Sequence, residues 1–206
     1  RLMALLAVRL SRHALLHCSL DASGFARPVR PSAFYLLCSL SSGSLLICPK
    51  KEENLKGEKE NHLRRYLDSG RPLLGICIGF QVLFHDSSEV HNADGSMGEG
   101  LVSGLALIPG LIRRFPPGQG RVPHMGWNTL QGCAPNSGLQ EGDWMYFIHS
   151  YHAAEVPESV VAAYTEYAGI RFTAAVRKDN IVATQFHPEK SDRSGLSFLE
   201  GWVKSI

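Results

Sequence analysis

At 206 residues and 44% apolar content, the chain can bury one substantial core, and its length suits a single α/β domain rather than two. Its 21 basic and 19 acidic residues leave a formal charge of +2, and the basic residues do not gather beside aromatic platforms, so a nucleic-acid partner is not indicated. The five cysteines, Cys18, Cys38, Cys48, Cys77 and Cys133, are an odd number without metal-like spacing, which points to a reducing, cytoplasmic compartment and to no structural metal or cofactor. His149 and His152 likewise lack cysteine or carboxylate partners in a metal-binding pattern.

The chain opens with an apolar run over residues 2–8 that could supply a parallel strand but is too short to cross a bilayer, and Arg9 and Arg12 interrupt its continuation. Residues 1–49 hold five arginines and eight serines but one acid, Asp21, the bias of an organelle transit peptide. Residues 45–49 read as a strand-like run ending in Pro49, residues 50–59 as a solvated charge run, and residues 62–67 as a short helix ending before Ser69 and Gly70.

From Gly70 onward the signals sharpen. Leu73, Leu74, Gly75 and Ile76 suit a buried strand, and Val82, Leu83 and Phe84 continue into a helix, so Cys77 lies at a strand-to-helix turn. Such an elbow needs close backbone approach, which Gly75 and Gly79 permit. It also sets the thiol at a helix N-terminus, where the thiolate is favoured and the Ile78 amide can face a developing oxyanion.

Strand signals follow at residues 145–148, 160–164, 172–176 and 181–186, and predict an antiparallel extension in the C-terminal half. His187 then emerges at a strand end, where catalytic groups of open α/β sheets collect. Pro188 stiffens the spacing to Glu189, which can hold one imidazole nitrogen while the other faces the thiol. Residues 195–203 read as a closing helix with Leu196, Leu199 and Val203 on one face. The expected architecture is α/β, a mostly parallel sheet with helices on both faces and the site at the carboxyl ends of its strands.

These motifs resemble the class I glutamine amidotransferases, a flavodoxin-like α/β family. Gly75-Ile76-Cys77-Ile78-Gly79-Phe80-Gln81 and His187-Pro188-Glu189-Lys190-Ser191 carry the likeness to the superfamily. Gly104-Leu105-Ala106-Leu107-Ile108-Pro109-Gly110 and Val122-Pro123-His124-Met125-Gly126-Trp127-Asn128 narrow it to the glutaminase subunits of imidazole glycerol phosphate synthase, in histidine biosynthesis. Tyr146-Phe147-Ile148-His149-Ser150-Tyr151 and Phe172-Thr173-Ala174-Ala175-Val176 add matches in order, and the likeness takes in about two thirds of the chain.

The resemblance implies that Cys77 attacks the side-chain amide of glutamine, with His187 moving protons and Glu189 orienting it. It implies substrate contacts from Gln81, Glu89, Ser150 and Tyr151. The alternatives at those positions are a helix-face polar residue, a solvated loop charge and an ordinary strand end. It further implies a separate (β/α)8 cyclase subunit as partner, met by Met125, Trp127, Asn128 and Lys190. Core packing is the competing role for Met125 and Trp127, and solvation for Lys190. No membrane partner is implied.

Residues 1–69 depart from this pattern. The family's first strand with its Asp-Tyr-Gly-type turn, and its Pro-Gly-Val-Gly loop that completes the oxyanion hole, have no counterparts; Lys50 and Lys51 stand where glycines belong. The chain therefore divides into an atypical segment, 1–69, and an amidotransferase domain, 70–206. The first is expected to be a replaced start, a divergent one, or a transit peptide, in which last case an organelle replaces the cytoplasm. If the departure removes an oxyanion donor, the alternative function is a non-catalytic cyclase-binding subunit. Another class I amidotransferase is a further alternative, disfavoured by residues 123–128.

Overall fold

The computed structural model describes residues 35–40, 44–45, 61, 63–90 and 98–206; the readings placed on residues 2–8 and 46–60 fall outside them. Its strands are β1 (Tyr35–Leu40), β2 (Ser44–Leu45), β3 (Leu73–Ile76), β4 (Asp86–Ser87), β5 (Val102–Ser103), β6 (Leu111–Arg114), β7 (His124–Thr129), β8 (Trp144–His149), β9 (Tyr151–Ala154), β10 (Val161–Tyr167), β11 (Ile170–Lys178) and β12 (Ile181–Thr184). Ten of them form one sheet in the order β2-β1-β3-β12-β11-β9-β6-β4-β5, with β10 also paired to β11, while β7 and β8 make a separate ribbon. The sheet is mixed. Parallel pairing runs β1–β3–β12 at the elbow and β4–β6, and antiparallel pairing dominates the C-terminal half, as its strand signals predict.

Alternation along β3 and β12 splits the core into two layers. Leu74, Ile76 and Val182 face one cluster with Phe147, Phe186 and the C-terminal helix Asp192–Lys204. Leu73, Ile181 and Ala183 face the other, with Phe80, Phe84 and the helix over residues 63–68. Helices thus cover both faces, and strand parity alone decides which residue serves which layer.

Three details differ from the sequence expectation. The strand beside β3 is β1, from an apolar stretch of residues 35–40 that the reading passed over. The helix after the elbow ends at Gln81 instead of running through Phe84: the amides of Leu83 and Phe84 bond three residues back, to Phe80 and Gln81, and the amides of residues 105–108 take the carbonyls of Val82, Leu83 and Phe84. This is why Gly104 is a glycine: a Cβ there would lie 2.3 Å from the Phe84 carbonyl oxygen. Finally, the C-terminal helix buries Gly195, Phe198, Leu199 and Trp202, leaving Leu196 half-buried and Val203 exposed. The larger aromatic side chains of Phe198 and Trp202 win the inward face.

Candidate active site

Cys77 follows β3 directly and caps the short helix Ile78–Gln81. Its backbone, φ 55° and ψ −104°, lies in a region that side chains with a Cβ rarely adopt, a strain typical of functional positions. The elbow is pinned from several sides. The Cys77 amide donates to the Thr184 carbonyl at 2.8 Å, and the amides of Phe80 and Gln81 close on the Cys77 carbonyl. Ile78 stands at the first helical position, where a backbone amide has no acceptor within the helix. Gly75 is required by the turn, since a Cβ would stand 2.7 Å from the Gly79 carbonyl oxygen.

β12 delivers His187 to the same end of the sheet. Its imidazole is buried, and Nδ1 lies 2.6 Å from Glu189 Oε1. The turn over Pro188–Lys190 makes that contact by geometry, and Ser191 locks it: Ser191 Oγ donates to the His187 carbonyl at 2.6 Å and accepts the Tyr146 amide at 2.9 Å. The Nε2 atom is buried without a hydrogen-bond partner. Burial alone would lower the imidazole pKa; the Cys77 sulfur and the Glu189 carboxylate outweigh it and raise the value to about 9. Cys133, the other described free thiol, is instead pushed up to about 11 by burial and by Glu141 and Asp143, so it is held protonated and inert.

The raised value makes a prediction. In an NMR titration the His187 ring should stay protonated through neutrality and titrate near 9, and Glu189→Gln should lower that midpoint. A group whose folded pKa exceeds its ordinary 6.5 stabilises the fold fully below 6.5 and loses that contribution as pH rises through about 9. A ring titrating at or below 6.5 in the parent protein would contradict the coupling.

The residues given substrate roles gather around this pair. Gln81 Nε2 donates to the Tyr151 carbonyl at 3.2 Å, and Tyr151 opens β9 next to the end of β8. Pairing of β9 with β6, and of β6 with β4, brings the chain after Ser87 alongside. There the exposed carboxylate of Glu89 is an electrostatic neighbour of Tyr151: burial raises the phenol pKa, Glu89 raises it further, and Arg114 opposes both. The Ser150 carbonyl is taken by the Phe115 amide at 3.1 Å.

The residues given partner roles divide by strand parity on the β7–β8 ribbon. Met125 and Trp127 are 59% and 49% exposed, which removes core packing as their role. Trp127 makes an edge contact with Tyr146 across the ribbon, and Trp144, 58% exposed, extends the same face; the sequence reading did not single it out. Asn128 points the other way, its Nδ2 donating to the Glu166 carbonyl at 2.7 Å and its Oδ1 accepting the Thr129 amide, so its amide serves to fasten the ribbon. Lys190 is exposed beside Glu189.

The ribbon's inner face carries His124 and His149, joined by a 3.0 Å hydrogen bond from Nδ1 to Nε2 among Phe115, Phe147, Tyr167 and Phe172. Burial lowers His149 to about 3 and His124 to about 4, with the neighbouring histidines adding to the first effect against its bond to the Tyr151 carbonyl. Both rings are therefore neutral. Among the described residues no group of His, Cys, Asp or Glu could hold a metal, and no helix is long and apolar enough to cross a membrane.

Residues 47–203 match the family model "Glutamine amidotransferase class-I". The chain is 42% identical over 149 residues to imidazole glycerol phosphate synthase subunit HisH of Synechococcus sp. (strain JA-3-3Ab), covering 70% of this chain and 64% of that protein. It is 48% identical to the protein of the same name from Geobacter metallireducens, with 68% and 66% covered, and 48% identical to that of Methanothermobacter thermautotrophicus, with 74% and 71% covered. It thus spans just under two thirds of the first two relatives' length. A glutamine amidotransferase structure from Thermotoga maritima superposes with a TM-score of 0.50 at 14% identity, covering 88% of this chain and 66% of that one, a likeness of fold.

Proposed function

The chain belongs to the class I glutamine amidotransferase family, and we propose that it is the glutaminase subunit of an imidazole glycerol phosphate synthase, hydrolysing glutamine and passing ammonia to a (β/α)8 cyclase subunit. The names carried by its relatives support the assignment. The observation that carries it is a juxtaposition: Met125 on the exposed ribbon face pairs with Ile148, whose carbonyl lies 3.8 Å from the Cys77 sulfur. A partner seated on that face would sit close to the sulfur that holds the acyl group as ammonia leaves it.

In this reading the Cys77 thiolate attacks the side-chain carbonyl carbon of glutamine, and the C=O π pair moves onto oxygen, where the Ile78 amide receives it. Collapse of that intermediate expels ammonia as His187 Nε2 supplies the proton, leaving a γ-glutamyl thioester. Water, losing a proton to His187, then attacks the thioester and releases glutamate, and the sulfur regains its starting state. Glu189 engages Nδ1 and so leaves Nε2 for the proton transfers. Gln81 and Glu89 hold the amino-acid end of the substrate together with the backbone of Ser150 and Tyr151, and no cofactor takes part.

Exposed apolar side chains on a regular ribbon suit a binding hot spot, where truncation costs about 1–2 kcal/mol or more. Trp127→Ala and Met125→Ala should each weaken association with the cyclase by on the order of tenfold or more, with thermal midpoints within about 1–2 °C of the parent's because neither residue packs in the core. Calorimetric titration of the cyclase tests this. A parent chain that does not bind the cyclase, or variants that bind as tightly as the parent, would remove the ribbon from the interface.

A further inference from the structure

Gln185 stands between the nucleophile and Gln81, and neither the sequence reading nor the mechanism above gives it work. It is fully buried after β12, its amide bonded to the Ala174 carbonyl. Its Oε1 lies 2.9 Å from Gln81 Nε2, and its Nε2 lies 3.8 Å from the Cys77 sulfur.

A backbone carbonyl fixes which end of each amide is which. The Tyr151 carbonyl can only accept, so the atom of Gln81 that faces it must be the amide nitrogen. That nitrogen also faces Gln185, whose near atom must then be its oxygen. The far atom of Gln185, the one against the sulfur, is therefore an N–H donor. Turning Gln81 over would set its oxygen against two others, and turning Gln185 over would set two amide nitrogens face to face, in a buried site. The second lone pair of the Tyr151 carbonyl takes His149 Nδ1 at 2.6 Å, so this anchor is satisfied on both sides.

We propose that Gln185 is a positioning residue for the reaction: its N–H donates to the Cys77 thiolate and its carbonyl oxygen holds Gln81 toward substrate. A hydrogen bond to the charged form of a group favours that form, and a thiolate is the form that attacks. His187, and Glu189 through it, are the titratable groups at the thiol, and both remain when Gln185 is changed.

This inference rests on the glutaminase reading only for its kinetic arm; alkylation needs neither glutamine nor cyclase. Iodoacetamide labelling of the Cys77 peptide would be followed against pH in the full chain, with Cys77→Ala as the blank. Gln185→Met removes both contacts, whereas Gln185→Glu keeps an acceptor for Gln81 but turns a carboxyl oxygen on the sulfur. Both should move the labelling midpoint up by about one pH unit, the size of effect that one lost donor to a charged group produces. With the cyclase present, Gln185→Glu should lower kcat about tenfold with KM for glutamine little changed, and Gln185→Met should also raise KM severalfold. A merely structural role would lower stability and leave the Gln185→Met midpoint in place, whereas the charge of Gln185→Glu would raise its own midpoint under either role. Midpoints matching the parent's in whichever of the two variants folds would overturn the proposal, and a parent without glutaminase activity would overturn the earlier reading while leaving this test intact.

Discussion

Replacing Cys77 by alanine or by glycine is expected to reduce glutamine hydrolysis by at least on the order of 10⁴-fold, as loss of a covalent nucleophile does elsewhere. The two variants should nevertheless differ in stability in an unusual direction. Glycine normally costs about 0.5–1 kcal/mol relative to alanine in ordered backbone, because the unfolded chain gains more freedom. At Cys77 the backbone sits at φ 55°, ψ −104°, where a Cβ is held at a cost of about 1–3 kcal/mol. Alanine keeps that Cβ and glycine discards it. The glycine variant should therefore be the more stable of the two by about 1–2 kcal/mol, read as a higher denaturation midpoint at unchanged slope. An alanine variant more stable than the glycine one by the usual margin of about 0.5–1 kcal/mol would show that the elbow stores no strain, and retained hydrolysis in either would remove Cys77 from the chemistry.

The second large effect is expected at a position with no chemistry of its own. Gly195 lies on the buried face of the C-terminal helix, and a Cβ there would fall 2.0 Å from the Pro188 carbonyl oxygen and 2.6 Å from Ser191 Cβ. One obstacle is backbone and the other is a side chain fully buried under Tyr146, so neither gives way cheaply. Overpacking of this kind costs about 2–3 kcal/mol, which in a chain of this length lowers the thermal midpoint by on the order of 5–10 °C. The displacement falls on the turn that sets His187 against Glu189, so Gly195→Ala should also lose at least about tenfold in hydrolysis through misplacement of the ring. Gly201, in the same helix, has nothing within 4 Å of an added Cβ, and Gly201→Ala should leave activity intact and stabilise by about 0.5–1 kcal/mol. Equal melting behaviour of the two alanine variants would contradict the close packing at Gly195.

How far the sequence discloses this site depends on the range of the interaction involved. Cys77 between Gly75 and Gly79, and His187-Pro188-Glu189, are local patterns whose backbone demands can be read from a few neighbours. The structure sets them at the same end of two interior strands through the parallel pairing of β3 and β12. The roles of Gly104, Gly195 and Gln185 are not local. Each depends on a segment that arrives from elsewhere: Gly104 against Phe84, Gly195 against Pro188, and Gln185 between Gln81 and Cys77. The tight turn at residues 82–84, where a helix is expected, likewise meets a distant segment, residues 105–108, whose amides take its carbonyls. Fastening of those residues by Arg64 Nη2 on the Leu105 carbonyl and Lys178 Nζ on the Leu107 carbonyl could not be foreseen from periodicity.

The sequence reading takes residues 123–128 as a loop, yet His124–Thr129 form a strand whose parity sorts the side chains. On β7, alternation places Met125 and Trp127 outward and His124 inward. On the C-terminal helix the aliphatic positions Leu196 and Val203 suggest one face, yet Phe198 and Trp202 occupy the core because they bury more area. Asn128, adjacent to Trp127 in sequence, is turned by the same alternation to Glu166.

The most direct test is glutamate release by the purified chain mixed with a cyclase subunit and its nucleotide ligand, run beside Cys77→Ala. The account predicts glutamate formed by the parent complex and lost with Cys77, with free ammonia no greater than glutamate because the cyclase takes it up. A complex that forms but releases no glutamate, or release that survives the loss of Cys77, would contradict it.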